Sequence, residues 1–367
     1  MNYWSLINYL ISAPKLINYL ISAPKLINYL KYKNDLKNRA IITSSFPPLI
    51  AFQSSAYCNT NCQLCPVVLG IKGPKKGFLH FDIFQKVIDD AKDYLIRVDF
   101  ADWGEPFLNP DIFDMIKYAE RKKIMTRVST NLHHFKNEED LKLLINCGLS
   151  FLTISLHGLS QESYEAYQPG KNFEETIWKI KTLISLKKEM KKPKPFINLA
   201  FAITKKNQHE IEKMRQFTKK IGASSWIYTA SLYLRFYLDN PDKIIGMINE
   251  WAQDKKLHLC NNDVYHKECI NALYEVILKE KQVSFDRLDS LKLTGRHFCQ
   301  EPWQLPIVNW DGTVSLCCAD YSKYVMGDTC EESILKIWNN EKYRAARKYL
   351  AGNCSDEFSL CTHCIRY

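Results

Sequence analysis

Cys58-Asn-Thr-Asn-Cys62-Gln-Leu-Cys65 gathers three thiols on one short stretch, directly after the apolar, strand-like run Leu49–Phe52. Three thiolates at a strand end can hold three corners of a four-iron cluster. The fourth iron then lacks a nearby protein ligand and stays open to a small molecule. A CxxC pair is equally the pattern of a zinc or redox site, and a cysteine triplet can be part of a four-thiolate zinc centre, so spacing alone leaves those readings open.

The surrounding chain sets the fold. A helix is expected near 81–94, where Phe84, Val87, Ile88 and Ala91 recur at helical spacing. A strand at 96–101 leads to Trp103-Gly104-Glu105-Pro106, and a helix near 111–122 precedes a strand at 124–129 that runs into Ser129-Thr130-Asn131. A helix near 138–146 is followed by a strand at 151–156, ending in Ile154-Ser155-Leu156-His157-Gly158. Helical residues around 161–188, a strand at 196–203, a helix near 208–220 and a sixth strand near 225–230 complete the series. Such alternation predicts an α/β fold with a parallel sheet and helices outside, and the motifs fall where strands end, at the mouth of a barrel. Six units are too few for closure, so the expectation is a partial (βα)6 TIM-like barrel over 48–230, open enough for a large substrate.

Bulk composition bounds the rest. The 367 residues are 46% apolar and 25% charged, enough for a full core and a second small domain. The formal charge of +10 favours acidic partners or an anionic membrane surface without identifying either; no nucleic acid is expected. Thirteen cysteines without a secretory signal pattern argue for a cytoplasmic protein whose thiols stay available to metals. Residues 6–30 repeat Leu-Ile-Asn-Tyr-Leu-Ile-Ser-Ala-Pro-Lys twice and then Leu-Ile-Asn-Tyr-Leu again. Pro14 and Pro24 are expected to limit each helical piece to about two turns, giving within 1–47 an amphipathic segment too interrupted to span a bilayer but able to lie on one. An arm packed on the protein, or a duplication without a role, is the alternative. Lys187–Lys194 is expected on the far face, whereas Lys205, Lys206 and Asn207 belong to the active face.

A connecting segment, 231–298, precedes a C-terminal module, 299–367, expected to be a small α+β cysteine-rich domain. Pro306–Cys318 reads as a hairpin turning at Asp311-Gly312, with an amphipathic helix near 333–350.

Taken together, Cys58, Cys62 and Cys65, Gly104-Glu105-Pro106, Ser129-Thr130-Asn131 and Ser155 resemble the motifs of the radical S-adenosylmethionine (SAM) enzymes. Cys299, Gly312, Cys317, Cys361 and Cys364 resemble the SPASM/twitch extension of that superfamily. The resemblance covers about residues 48–367. It implies a [4Fe-4S] cluster on Cys58, Cys62 and Cys65, whose open iron chelates SAM. A 5′-deoxyadenosyl radical, made by reductive cleavage, then abstracts hydrogen from a polar substrate, sugar-like or peptidyl. Gly104, Glu105, Ser129, Asn131, Ser155 and Gln168 are the implied SAM-binding positions. Cys299, Cys317, Cys361 and Cys364 would hold one auxiliary [4Fe-4S] cluster, with zinc as the alternative. Oxidation would follow if that cluster accepts an electron, and epimerisation if a thiol such as Cys318 returns hydrogen. Asp320 and His157 are the other candidate catalytic groups, and a flavodoxin- or ferredoxin-type protein would donate electrons. A peptide-modifying maturase and a non-catalytic iron–sulfur scaffold are the rival readings. Three positions depart from the pattern: Leu64 is often aromatic, Gln168 is often Arg, and His157 is commonly Asp.

Overall fold

The alternation read from the sequence is realised in six parallel strands. They are β1 (Leu49–Phe52), β2 (Arg97–Phe100), β3 (Met125–Thr130), β4 (Phe151–Ser155), β5 (Phe196–Ile203) and β6 (Ser224–Thr229), each paired with the next. The computed structural model describes residues 22–65, 67–68, 76–100, 103–229, 299–317 and 324–351. Cys318, Asp320, Cys361 and Cys364, the segment 231–298 and residues 1–21, which hold the first N-terminal repeat and most of the second, lie outside them.

Alternate strand residues face opposite ways. Ile50, Phe52, Val98, Phe100, Val128, Leu152, Ile154, Leu199 and Phe201 pack outward against the helices in one continuous core. Helix α2 (Phe81–Ala91) buries Phe84, Val87, Ile88 and Ala91, the four residues its periodicity singles out. Phe84 meets Phe52 and Phe100 with ring centroids 5.0 and 5.5 Å apart; fully burying such a ring stabilises the fold by about 1.5–3 kcal/mol.

Helix α3 (Ile112–Arg121) follows β2. Helix α4 (Glu138–Asn146) starts where Asn137 accepts the Asp140 N–H, with three carboxylates in its first turn favourably placed on the dipole. The helical residues expected around 161–188 divide into α5 (Gln161–Tyr167) and α6 (Phe173–Glu189). Pro169 and Gly170, the latter at φ +72°, turn the chain between them. Helix α7 (Ile211–Ile221) closes the fifth unit and leads into β6.

Helix α1 (Ala23–Lys37) departs from the two-turn expectation. Pro24 sits in its first turn, where no N–H is required, and no later proline interrupts the third repeat. Its buried face is polar. Lys25 donates to the Lys123 carbonyl, Asn28 exchanges two bonds with Phe46, and Asp35 accepts from the backbone and hydroxyls of Ser44 and Ser45. Leu26, Ile27 and Leu30 are left exposed.

The C-terminal module joins the same sheet. After α8 (Glu301–Gln304), β7 (Ile307–Val308) pairs parallel with β1, placing Ala51 opposite Ile307. The expected hairpin brings β8 (Thr313–Ser315) antiparallel to β7 through Gly312 at φ +91°. A strand absent from the sequence reading, β9 (Val325–Asp328), completes the order β6-β5-β4-β3-β2-β1-β7-β8-β9. The helix expected near 333–350 is two, α9 (Ile334–Trp338) and α10 (Glu341–Leu350), because Asn340 leaves the helix to cap the second on the Tyr343 N–H.

Candidate active site

Three thiols stand on the loop after β1: Cys58 is exposed, and Cys62 and Cys65 are partly buried. The buried Thr60 hydroxyl lies 3.1 Å from the Cys58 sulfur and 3.5 Å from that of Cys62. The Cys65 N–H closes a turn on the Cys62 carbonyl, and the Gln63 N–H donates to the Tyr167 carbonyl, pinning the loop to the end of α5. Gln168, next in the chain, hydrogen-bonds the Cys62 thiol. Burial, with the neighbouring Cys65 and Cys58, pushes the Cys62 thiol up to about 12, against the Thr60 and Gln168 bonds. A metal centre reverses that preference, because coordination deprotonates a thiol outright.

The Gly104-Glu105-Pro106 stretch is strapped to this loop. The Glu105 N–H donates to the Tyr57 carbonyl, and Gly104, at φ +97°, lies so close that a Cβ would stand 1.9 Å from the Ser55 oxygen. The close approach that only glycine permits is therefore to the cysteine loop itself. The Glu105 carboxylate is buried and accepts from the Thr130 hydroxyl and the N–H groups of Phe107 and Asn131. Burial outweighs those donors and raises it to about 7. Asn131 continues the line: its side-chain amide donates to Asn59 at 2.7 Å and lies 3.7 Å from the Cys58 sulfur.

Ser129 and Ser155 end their strands half-buried on the inner face. Gln168 is 1% exposed, and its side-chain oxygen has no hydrogen-bond partner. His157 lies within the wall: Nδ1 accepts the Ala202 N–H at 3.0 Å, its ring stacks 4.2 Å from Tyr167, and burial drives it to about 3. The ring is neutral, with Nδ1 held as an acceptor by the wall. Asn207 is also structural, donating to the His157 and Ala202 carbonyls. Leu64 is buried at 1% exposure.

Cys299 and Cys317 flank the hairpin, both partly buried. The other two thiols expected to join them, Cys361 and Cys364, are outside the described residues. Cys330 sits instead at the hairpin turn, its sulfur 3.9 Å from the Asp311 carbonyl.

Thr60, His133 and an inner charged triad escaped the sequence reading. His133 Nε2 lies 3.1 Å from the Tyr164 hydroxyl, which also meets Thr176, bracing α5 behind the cysteine loop. The triad is Arg97, Asp99 and Arg127, on the inner face of β2 and β3. Three charges within the strand-length runs Arg97-Val-Asp99 and Met125-Thr-Arg127 were the available signal.

Among the described residues no three metal-binding side chains are drawn around a point suited to one ion. A lone zinc gathers its thiolates at about 2.3 Å, whereas here a threonine hydroxyl stands between two of the sulfurs. Three thiols on one loop with hydroxyl and amide groups turned on their sulfurs, and an unpaired Gln168 oxygen beside them, fit a cluster with a polar ligand at its free corner.

Comparison with known proteins gives the family resemblance of the chain. Residues 52–218 match the Radical SAM superfamily, and residues 299–365 match the SPASM iron–sulfur cluster-binding domain. The tungsten-containing aldehyde ferredoxin oxidoreductase cofactor-modifying protein of Pyrococcus furiosus is 22% identical over 320 residues, covering 82% of this chain and 84% of its own length. The AdoMet-dependent heme synthase of Methanosarcina barkeri is 25% identical over 337 residues, covering 86% and 89%. Among solved structures, Streptococcus suis SuiB bound to S-adenosylmethionine superposes with a TM-score of 0.60 at 16% identity, over 88% of this chain and 72% of that one.

Proposed function

Since this chain belongs to the radical SAM superfamily and carries a SPASM iron–sulfur domain, we propose that it abstracts hydrogen from a polar substrate, sugar-like or peptidyl, lodged in the half-barrel. The observation that carries the reading is the arrangement of three thiols on one loop, with Thr60, Gln168 and Asn131 turned on their sulfurs. When bound, the cluster and SAM supply a carbon-centred radical by one-electron cleavage of a carbon–sulfur bond.

The chain's own residues bind and orient. Cys58, Cys62 and Cys65 hold the cluster, and Gly104 and Glu105 fix the loop that carries them. Ser129 and Ser155 offer hydroxyls from the inner face to a polar ligand, and the Gln168 oxygen offers an acceptor suited to an ammonium. Cys299 and Cys317, with Cys361 and Cys364, are proposed to hold the auxiliary cluster. If that cluster accepted an electron the outcome would be net oxidation; if the Cys318 thiol returned a hydrogen atom the outcome would be epimerisation, the sulfur radical left on Cys318 then taking one electron from the external donor and one proton, with Asp320 or His157 as candidates to supply it.

The test is direct. Reconstituted protein given SAM and reductant is expected to form 5′-deoxyadenosine. Cys58→Ala, Cys62→Ala and Cys65→Ala should each abolish that product, while Cys147→Ala should not, because Cys147 is buried and bonds the Leu144 carbonyl. Product from all three loop variants would refute the assignment.

Among the described residues no helix is long and apolar enough to cross a membrane. We further propose peripheral contact through residues 1–30, supported by exposed Leu26, Ile27 and Leu30 beside the exposed Lys31, Lys33 and Lys37. Removal of residues 1–21 together with Leu26→Ser, Ile27→Ser and Leu30→Ser should weaken co-flotation with anionic vesicles; unchanged flotation would reject it. A flavodoxin- or ferredoxin-type donor is proposed for the electron.

A further inference from the structure

Among the described residues, the inner face of the half-barrel carries an uncompensated charge. Register places Ala51, Asp99, Arg127 and Phe151 side by side across β1 to β4, one layer below Ser129 and Thr153. Arg97 grips Asp99 with two bonds, Nε to Oδ1 at 2.7 Å and Nη2 to Oδ2 at 3.0 Å, and is itself nearly covered. Arg127 adds a second cation, Nη2 to Oδ2 at 2.7 Å, with its side chain still 26% exposed. Its Nε is buried and has no hydrogen-bond partner. Two guanidiniums thus share one carboxylate, and Arg97 alone would satisfy it. The nearby Glu105 cannot supply the missing anion, because both its oxygens are taken by Thr130, Phe107 and Asn131.

A surplus charge and an unmet donor in a partly desolvated site are costly unless a ligand supplies the counter-charge. We propose that Arg127 receives a carboxylate group of the substrate. The charge at the point of contact selects the class: one carboxylate group brings the triad to neutrality, and the second carboxylate of a diacid can remain in the open half-barrel, whereas a phosphate dianion would set both negative charges against the triad. Guanidinium geometry also suits a planar two-oxygen anion. This assignment rests on the half-barrel being the substrate site and names the chemistry that site selects.

Succinate serves as the probe, with the full-length reconstituted protein and no SAM present. Calorimetric titration should show saturable succinate binding, weakened about tenfold or more in Arg127→Met, the scale of one charge-assisted hydrogen bond. Arg127→Lys, which restores the charge without the Nε donor, should recover part of the affinity. Inorganic phosphate should bind more weakly than succinate. A measurement needing no variant is phenylglyoxal modification followed by peptide mass mapping: succinate should slow labelling of Arg127. Equal succinate affinity in wild type and Arg127→Met, absence of saturable binding, tighter phosphate than succinate, or undiminished labelling would each overturn the assignment. The two ideas fail separately, since the proposed function falls on missing 5′-deoxyadenosine and this one on succinate recognition.

Discussion

Asn131 uses its backbone N–H and both side-chain groups. Its backbone N–H goes to Glu105, its side-chain oxygen accepts from the His133 N–H, and its amide reaches Asn59 and the Cys58 sulfur. An N–H donated to a thiolate stabilises the more electron-rich, reduced cluster, so hydrogen bonds to ligand sulfurs raise its potential. Asn131→Leu is therefore expected to shift the midpoint of the loop cluster downward in a redox titration followed by electron paramagnetic resonance, with slower cleavage of SAM at fixed reductant. An unchanged midpoint would count against the contact. Glu105 gives a pH prediction of definite sign. Its folded value, about 7, lies above the ordinary 4.5, so the native state holds a proton that the unfolded chain releases. Its contribution is fully present below pH 4.5 and is lost as pH rises toward 7, a loss of about 3 kcal/mol. Denaturant titrations of Glu105→Gln should lack that loss; an identical pH profile in both proteins would contradict it. Asn131 and Ser155 were legible in the sequence because short motifs mark strand ends. Arg127 was not, because its relation to Asp99 exists only once β2 and β3 are in register.

At the scale of elements, hydrophobic spacing located α2 and α4 closely, since each buries one apolar stripe. It failed where the decisive term was local or tertiary. Asn340 abandons a helix to cap the next one, and β9, only Val325-Met-Gly-Asp328, carries little intrinsic strand preference and is held by pairing with β8. What ties α9 and α10 to α8 is Arg347. Its side chain is fully buried, donating to the Pro302, Ile41 and Trp338 carbonyls and to Asn339, and it stacks 4.4 Å from Trp338. Burial lowers Arg347 to about 10, so it remains charged at neutral pH. Its counter-charge is diffuse: the Trp338 carbonyl is at the negative end of α9. Arg347→Met should keep most of the volume while orphaning three carbonyls, at a cost of roughly 3 kcal/mol. Thermal unfolding monitored by circular dichroism checks this, and a melting point equal to wild type would show that the carbonyls find other partners.

Across the whole molecule, the hairpin bearing Cys299 and Cys317 grows from the edge of the strand that leads to Cys58. The Ala51 N–H bonds the Pro306 carbonyl and the Gln53 N–H bonds that of Val308. Lys86 of α2 donates to the Thr329 and Cys330 carbonyls, and Trp338 packs edge-on against Phe46 at 5.9 Å. Val308, Val314, Met326, Ile337 and Tyr343 belong to the same core as Phe52 and Phe84. Composition and cysteine spacing made the C-terminal module look separable, because neither reveals that β7 would pair with β1. Ending the chain after residue 298 strips that partner from β1, leaves an unpaired edge, and uncovers part of the core. The expected result is an aggregating or partly unfolded protein that also retains the loop cluster poorly. Cys317→Ala separates the two effects: it should lower bound iron from about eight to about four per chain while the protein stays folded, if each centre holds four irons. Size-exclusion chromatography with iron analysis on both proteins decides the matter. A monodisperse truncated chain with about four irons would show that β1 does not depend on β7, and that the two metal-binding regions share a sheet without sharing stability.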